Sequence, residues 1–296
     1  MSSGSTGTQR DWARYWRAGG QLIEAMHAHF SSHVYHRHSH DSYSFGMTET
    51  GAQAFTCRGG SHVSAAGMIM MFNPDDPHDG HCATGQGFTY RMIHIAPGLV
   101  TDLLADVTGT PSGLPLFPRP VAADAGLART LRSLHATLTG TSTPLERHEQ
   151  LTGAMARLTR HAAARGRAAG PPGAVTAAPP AHPAASPAAS PATGAALRIR
   201  DLLHDCYASP LTADDLAAAA GCSRYAAYRA FSAAFGLAPS EYQRQLRLRA
   251  ARRLLTTGLP AAQAAAAAGF ADQAHLTRWF RRCYGVTPRA YTQAAG

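Results

Sequence analysis

"YRAFSAAFGLAPSEY" at residues 228–242 lies over "TRWFRRCYGVTPRAY" at residues 277–291 with a constant offset of 49. Arg229 falls on Arg278, Phe231 on Phe280, Phe235 on Tyr284, Gly236 on Gly285, Pro239 on Pro288 and Tyr242 on Tyr291. Gly and Pro stand at turn positions in both copies, so the match marks a duplicated supersecondary unit.

Working outward from the first copy, "LTADDLAAAAGCSRYAAYRAFSAAFG" reads as helix, turn, helix. Thr212 can cap the first helix, with Asp215 completing a box-like pair. Leu216, Ala217 and Ala220 form its inner face, where two closely crossing helices leave room for little more than a methyl. Gly221 suits a left-handed stop, and Ser223 caps the second helix. Phe231 and Phe235 face inward at i and i+4. Arg224, Tyr225, Tyr228 and Arg229 are left outside near the helix start, the positions that meet base edges when a helix-turn-helix enters the major groove. In the second copy Pro260 opens a helix, "AAQAAAAAG" supplies the close-packed face with Gly269 as its stop, and Asp272 caps the next helix at the same offset as Ser223. Ala274, His275 and Arg278 face out, Leu276 and Phe280 face in, and Arg281 and Arg282 are placed for phosphates. The connection "SEYQRQLRLRAARRLL" carries an apolar stripe of Leu246, Leu254 and Leu255 among arginines. As a helical rod of roughly 22 Å it can hold two recognition helices about one DNA turn, some 34 Å, apart.

Charge supports this. The chain of 296 residues has a formal net charge of +9, and all 27 of its cations are arginine. Arginine's planar fork suits phosphates and guanine edges, though a GC-rich genome yields the same preference. From Ala195 onward there are 13 Arg against 6 acidic residues, so about a third of the chain holds most of the excess. The five cysteines form no C-x-x-C pair, and their odd number argues against a disulfide framework. Met1–Arg17 lacks the apolar core of a signal peptide, and no apolar run approaches the ~20 residues that span a bilayer. A cytoplasmic, membrane-free protein is expected.

The residues from Leu197 to Tyr291 closely resemble the DNA-binding domain of the AraC/XylS family of bacterial transcription regulators. The resemblance is carried by "LTADDLAAAAGCSRYAAYRAF", "RLRAARRLL" and above all "AAAAAGFADQAHLTRWFRRCYGVTPRAY". It implies double-stranded DNA as partner and RNA polymerase as a candidate one. It assigns the first recognition helix's contacts to Tyr225, Tyr228 and Arg229, and the second's to Ala274, His275, Thr277 and Arg278. Ala274 departs from the family, which often places a polar side chain there. With the capping Ser223, and with Arg224, Gln273, Arg281 and Arg282, these make up the expected DNA-binding set.

Upstream, "GPPGAVTAAPPAHPAASPAASPATG" marks residues 165–194 as an extended Ala/Pro-rich linker. Before it, "SYSFGMTET" alternates, with Tyr43, Phe45 and Met47 on one face. "FTYRMIHI" sets Phe88, Tyr90, Met92 and His94 opposite Thr89, Arg91, Ile93 and Ile95. Frequent turn signals suggest a β-sandwich or small barrel. The piece "YHRHSHDSYSFGMTETGAQAFTCRGGSHVSAAGMIMMFNPDDPHDG" looks like the cupin-type effector domain found in such regulators. "GLVTDLLADV", "AGLARTLRSLHATL" and "LERHEQLTGAMARLTRHAA" then have helical spacing. They either cover the β domain or form a dimer seam. The expected organisation is an all-β cupin-like effector domain over 1–110, a helical dimerisation or packing segment over 111–164, the linker over 165–194, and an all-α domain with two helix-turn-helix motifs over 195–296.

Histidines cluster at His33, His36, His38 and His40, and again at His78 and His81. On a strand, His36, His38 and His40 would share one face. Metal-binding cupins pair H-x-H with a nearby Glu and a later His, and here Glu49 lies nine residues past His40, farther than that pattern has it. No metal and no cofactor are assigned. His38, His40, Tyr43 and His78 are read instead as contacts to a small-molecule effector. The expectation is a non-enzymatic, dimeric, effector-controlled transcription regulator. The rivals are a metal-dependent cupin enzyme fused to a DNA-binding domain, which turns its ligand over, and a chromosome-architectural protein, which binds DNA with low sequence preference.

Overall fold

The computed structural model describes residues 11–18, 22–110, 113–162 and 191–293. They fall into two compact units, one on each side of residues 163–190. The expected linker thus lies outside the described residues as far as 190. Its last residues, 191–194, open a helix, so the second unit starts before Ala195.

The first unit is antiparallel β with a helical layer. Its strands are β1 (Trp12–Ala18), β2 (Ile23–Phe30), β3 (Tyr35–His38), β4 (Tyr43–Cys57), β5 (Gly60–Ala65), β6 (Ile69–Phe72), β7 (His78–Cys82), β8 (Phe88–Ile95) and the short β9 (Val121–Ala122). One sheet runs β1-β2-β8-β4-β6-β9, while β5 and β7 pair with the far half of β4, and β3 pairs with β7. The long β4 therefore belongs to both layers, and a register shift between Thr48 and Thr50 lets it bend from one to the other.

The helices are α1 (Pro97–Thr108), α2 (Ala125–Thr139) and α3 (Pro144–Leu158), followed by one 3-10 turn. Asp124 caps α2 through the Leu127 amide, and Thr143 with Glu146 forms a capping box on α3. The sequence left open whether these helices cover the β domain or make a dimer seam. Their inner faces cover the sheet: Leu127, Leu131, Leu134, Leu151 and Met155 join one buried core with Tyr43, Phe45, Met47, Ile69, Ile93 and Ile95. Phe117 sits in the same core and β9 pairs with β6, so the helical layer begins at Pro97 and the residues around 117–122 belong to the β domain. The boundary expected at 110 does not separate two bodies.

The second unit is all helix: α4 (Pro191–Asp205), α5 (Ala213–Ala220), α6 (Arg224–Phe235), α7 (Pro239–Thr256), α8 (Ala261–Ala267), α9 (Gln273–Tyr284) and α10 (Pro288–Thr292). The duplication is visible in its packing. Phe231 and Tyr242 have ring centroids 5.3 Å apart, and so do Phe280 and Tyr291. Phe231–Phe235 and Phe280–Tyr284 follow at 4.6 and 4.7 Å. Between the two copies runs α7, 18 residues and so about 27 Å long. It is less of a bare rod than its arginines suggest. Leu248, Ala250 and Ala251 are buried along with Leu246 and Leu255, and Gln245 and Arg249 are buried with them.

Candidate nucleic-acid interface and effector pocket

Each recognition helix is set by its own caps. Ser223 Oγ accepts from the Ala226 amide at the start of α6, and Asp272 accepts from the His275 amide at 2.6 Å at the start of α9. Gly236 and Gly285 close the two helices in the left-handed conformation. Before α6, the Thr212–Asp215 capping box forms, and Gly221 takes φ +67° at the stop of α5. Arg198 reaches over to donate to the carbonyls of Ala219 and Ala220 at 3.0 and 2.5 Å, satisfying two groups at that helix end. Pro260 stands at the N-cap of α8, one place before the first-turn position expected of it.

The outward faces carry most of the expected residues. Tyr225 and Tyr228 are 69% and 52% exposed. Arg229 is exposed beside Tyr225, its guanidinium carbon 5.6 Å from the ring centroid. Arg224 differs from its neighbours: it makes a two-pronged pair within the domain, with Asp214, at 2.5 and 2.7 Å. Both side chains are about two-thirds exposed, so this surface pair contributes little to holding α6 and leaves Arg224 open to the outside. On α9, Gln273, Ala274, Arg278, Arg281 and Arg282 are exposed, while Leu276 and Phe280 are buried. Thr277 is half-buried. His275 is half-buried too, and Trp279 Nε1–H donates to its Nε2 at 3.0 Å. Indole only donates, so His275 Nε2 must accept and Nδ1 carries the proton. Trp279 is itself flanked by Arg244 at 3.8 Å and Arg282 at 5.1 Å from its ring centroid. Sequence reasoning missed this cluster, because the contact from Arg244 crosses from α7.

In the first unit, a second set of buried side chains lies on the sheet face away from the helices. Phe30, Tyr35, Phe88 and Tyr90 touch one another, and the hydroxyls of Tyr35 and Tyr90 share a hydrogen bond at 2.8 Å. Beyond them stand the histidines. His38 and His78 are 4% and 6% exposed, with ring centroids 4.5 Å apart. His40 lies 4.9 Å from His38 and 5.3 Å from His78. Phe72 stacks on His78 at 4.1 Å. Burial holds both His38 and His78 below the ordinary imidazole pKa, with the neighbouring His78 adding to the effect at His38, so both are neutral.

Three of the four expected effector contacts therefore meet, and Tyr43 does not join them. It shares the parity of Phe45 and Met47, so it points into the helix-covered core, where its hydroxyl donates to the Pro115 carbonyl at 2.7 Å. His94 takes that place beside the histidines. It lies opposite Ser44 in the β4–β8 register, shares a hydrogen bond with Ser44 Oγ at 2.8 Å, and sits 4.6 Å from His40. The alternation of β8 put His94 on a face with Tyr90 and Met92, but which face the helices covered depended on their packing. His36 is another departure. A register irregularity in the β3–β7 pairing between Tyr35 and His38 breaks the alternation, so His36 is exposed while His38 is buried. His81 is exposed as well.

Glu49, the one carboxylate weighed as a metal ligand, has the parity of Met47 and lies away from the cluster. It pairs with Arg91 at 2.8 Å and with His27 at 2.9 Å. Burial works to raise its pKa, and these two partners outweigh it, so the carboxylate is held below its usual range. Arg91 also reaches His135 Nδ1 at 3.1 Å, and His135 Nε2 donates to the Met26 carbonyl at 3.0 Å.

Residues 21–155 match the AraC-like ligand binding domain, and residues 216–294 match a helix-turn-helix domain. The chain belongs to the AraC family of transcriptional regulators. A relative in Bacillus subtilis (strain 168), the uncharacterized HTH-type transcriptional regulator YbfI, is 27% identical over 239 residues, covering 81% of this chain and 80% of its own. The transcriptional activator NphR of Rhodococcus sp is 42% identical over 94 residues, 31% of this chain and 27% of that protein. Among solved structures, ToxT from Vibrio cholerae O395 superposes with a TM-score of 0.52 at 11% identity, covering 95% of this chain and 96% of ToxT, a likeness of fold. As an AraC-type regulator with a ligand-binding domain, the protein is not the metal-dependent enzyme weighed above. No helix among the described residues is long and apolar enough to cross a membrane.

Proposed function

We propose that this AraC-type regulator reads a two-part DNA site with α6 and α9, under the control of a small effector held in the β domain, and acts as a homodimer. The observation that carries the reading is the pair of equivalent helices, each capped at its start and each presenting an exposed arginine at its sixth position, Arg229 and Arg278. Tyr225, Tyr228 and Arg229 face one stretch of major groove, and Ala274, His275 and Arg278, with Gln273 and Thr277 beside them, face the next. Arg281 and Arg282 meet phosphates. Arg224, exposed at the start of α6, exchanges its surface partner Asp214 for the DNA. His275, with its proton on Nδ1, offers a donor suited to acceptors such as guanine N7 or O6.

The effector reading is supported by the enclosed face bearing His38, His40, His78 and His94. ToxT has been solved with an unsaturated fatty acid bound, which makes small-molecule binding by the present chain a fair expectation. Pairing of two copies would set the spacing of the DNA-binding heads, and the segment between the two units would set their effective concentration on neighbouring half-sites. Contact with RNA polymerase would follow from binding beside a promoter.

The test is selection of bound sequences from a random DNA pool with the full chain, followed by a metabolite screen for shifts in affinity on the best site. A motif with two major-groove segments about one turn apart, preferred by ~10³-fold or more over bulk DNA, is expected. Retention without sequence enrichment would favour an architectural protein instead.

A further inference from the structure

The three pocket histidines have the geometry of a ligand set. His38 comes from the irregular end of β3, His40 from the turn after it, and His78 from the first position of β7. One ring nitrogen from each can be chosen so that all three lie within 4.8 Å of one another. Around a zinc-class ion with bonds of about 2.0–2.1 Å, tetrahedral nitrogens stand about 3.3 Å apart, so the set closes by up to about 1.5 Å when an ion enters.

The outer hydrogen bonds favour the same use. His38 Nδ1 donates to the His36 carbonyl at 2.8 Å, and His78 Nδ1 donates to the Asp76 carbonyl at 2.8 Å. A backbone carbonyl on Nδ1 fixes the tautomer and leaves Nε2 with a lone pair, which is how metal-bound imidazoles are commonly oriented. Three carboxylates in this region have partners of their own. Asp76 is held by Arg58 and Asn73, and Asp79 by Thr56, while Glu49 lies on the other side of the sheet. The donors that converge are three imidazoles, a set suited to zinc, nickel, copper or iron rather than to magnesium or calcium. Three such ligands leave the charge of a divalent ion uncompensated and one tetrahedral position open.

We propose that His38, His40 and His78 hold one divalent transition-metal ion of the zinc class, with its open position facing an oxygen donor, such as a carboxylate, of the bound effector. Metal binding stands on the histidine geometry alone, and the effector clause rests on the function proposed above. The spacing of Glu49 argued against a metal in the sequence because a carboxylate was taken to be required. The fold instead gathers a set that does not use one.

The test is equilibrium dialysis of the chelator-stripped full chain against Zn(II), with elemental analysis. Cobalt(II) serves as a spectroscopic substitute whose visible bands report a tetrahedral nitrogen site. One ion per chain is expected, with binding weakened at least tenfold in His78→Ala and in the volume-preserving His40→Gln. The exposed His36→Ala and His81→Ala should bind as the parent does. Circular dichroism and DNA binding confirm folding of each variant, and His40→Gln serves where His78→Ala fails to fold. Binding well below one equivalent in the parent, or unchanged binding in both pocket variants, would overturn the site. A metabolite that shifts DNA affinity equally with and without metal would overturn the open-position clause and leave the metal site standing. Metal binding with no responsive metabolite would count against the effector reading alone.

Discussion

At the scale of single residues, the two recognition helices are not equal. The first presents two exposed tyrosines and Arg229, the second Arg278 with a histidine fixed by Trp279. Arg229→Ala or Arg278→Ala should cost ~1–3 kcal/mol at the selected site and relax base preference locally, as read by binding to single-base variants. Unchanged selectivity in both would remove their base-reading role. Arg281→Ala should weaken binding to all sequences alike and lower the slope of log affinity against log salt by about 1. Trp279→Phe removes the donor to His275 Nε2 while keeping most of the ring packing. It should release the histidine's tautomer and blur preference at one base pair, with little change in the salt slope. Preserved preference there would show that His275 does not depend on Trp279.

At the scale of elements, the two helix-stopping glycines separate conformational strain from crowding. Gly221 and Gly269 have φ of +67° and +81°. A methyl on Gly221 meets only the tip of Arg198 at 3.9 Å, whereas one on Gly269 would run into the Ala208 backbone, 2.7 Å from its Cα. Gly221→Ala should therefore cost about 1–2 kcal/mol, the left-handed strain alone. Gly269→Ala adds overpacking and should cost about 3 kcal/mol or more in denaturant unfolding. Equal costs would mean that the α8–α9 turn can shift away from Ala208. Most of these turns could be read in the sequence because their signals are local: Thr212, Ser223, Asp272, Gly221 and Gly269 each act within a few residues. The irregularity in β3 could not, because it is set by pairing with β7, some forty residues on.

At the scale of the whole molecule, the first unit carries a buried acid-sensitive junction between sheet and helix. His135 is buried, and burial together with the Arg91 guanidinium lowers its pKa to about 4. Its folded-state value lies below its unfolded one, so its contribution to stability is complete above pH ~6.5 and is lost as pH falls towards 4. Up to about 3 kcal/mol is at stake. Hydrogen exchange over residues 23–95 should show protection that falls between pH 6.5 and 4 beyond what the second unit loses. Parallel losses in both units would assign the effect elsewhere. Limited proteolysis should cut first within the Ala/Pro-rich residues 163–190, between the two compact units. A first cut inside 211–291 would contradict the two-unit organisation.

By itself the sequence determined the second unit almost completely. Its helices are short, their caps and stops are local, and a duplicated pattern reads each position twice, so Phe231 and Phe280 or Ser223 and Asp272 confirm one another. It also determined that the first unit is β-rich and which residues alternate along β4 and β8. Alternation names two faces without saying which one is covered. That was decided when α1–α3 packed over Tyr43, Phe45 and Met47, which sent Tyr43 into the core and left His94 with the histidines. The histidine cluster is built from residues 38, 40, 78 and 94, brought together by strand pairing across long stretches of chain. Only the tertiary structure could make that assembly, because side-chain parity is a local property and the burial of one face over the other is not.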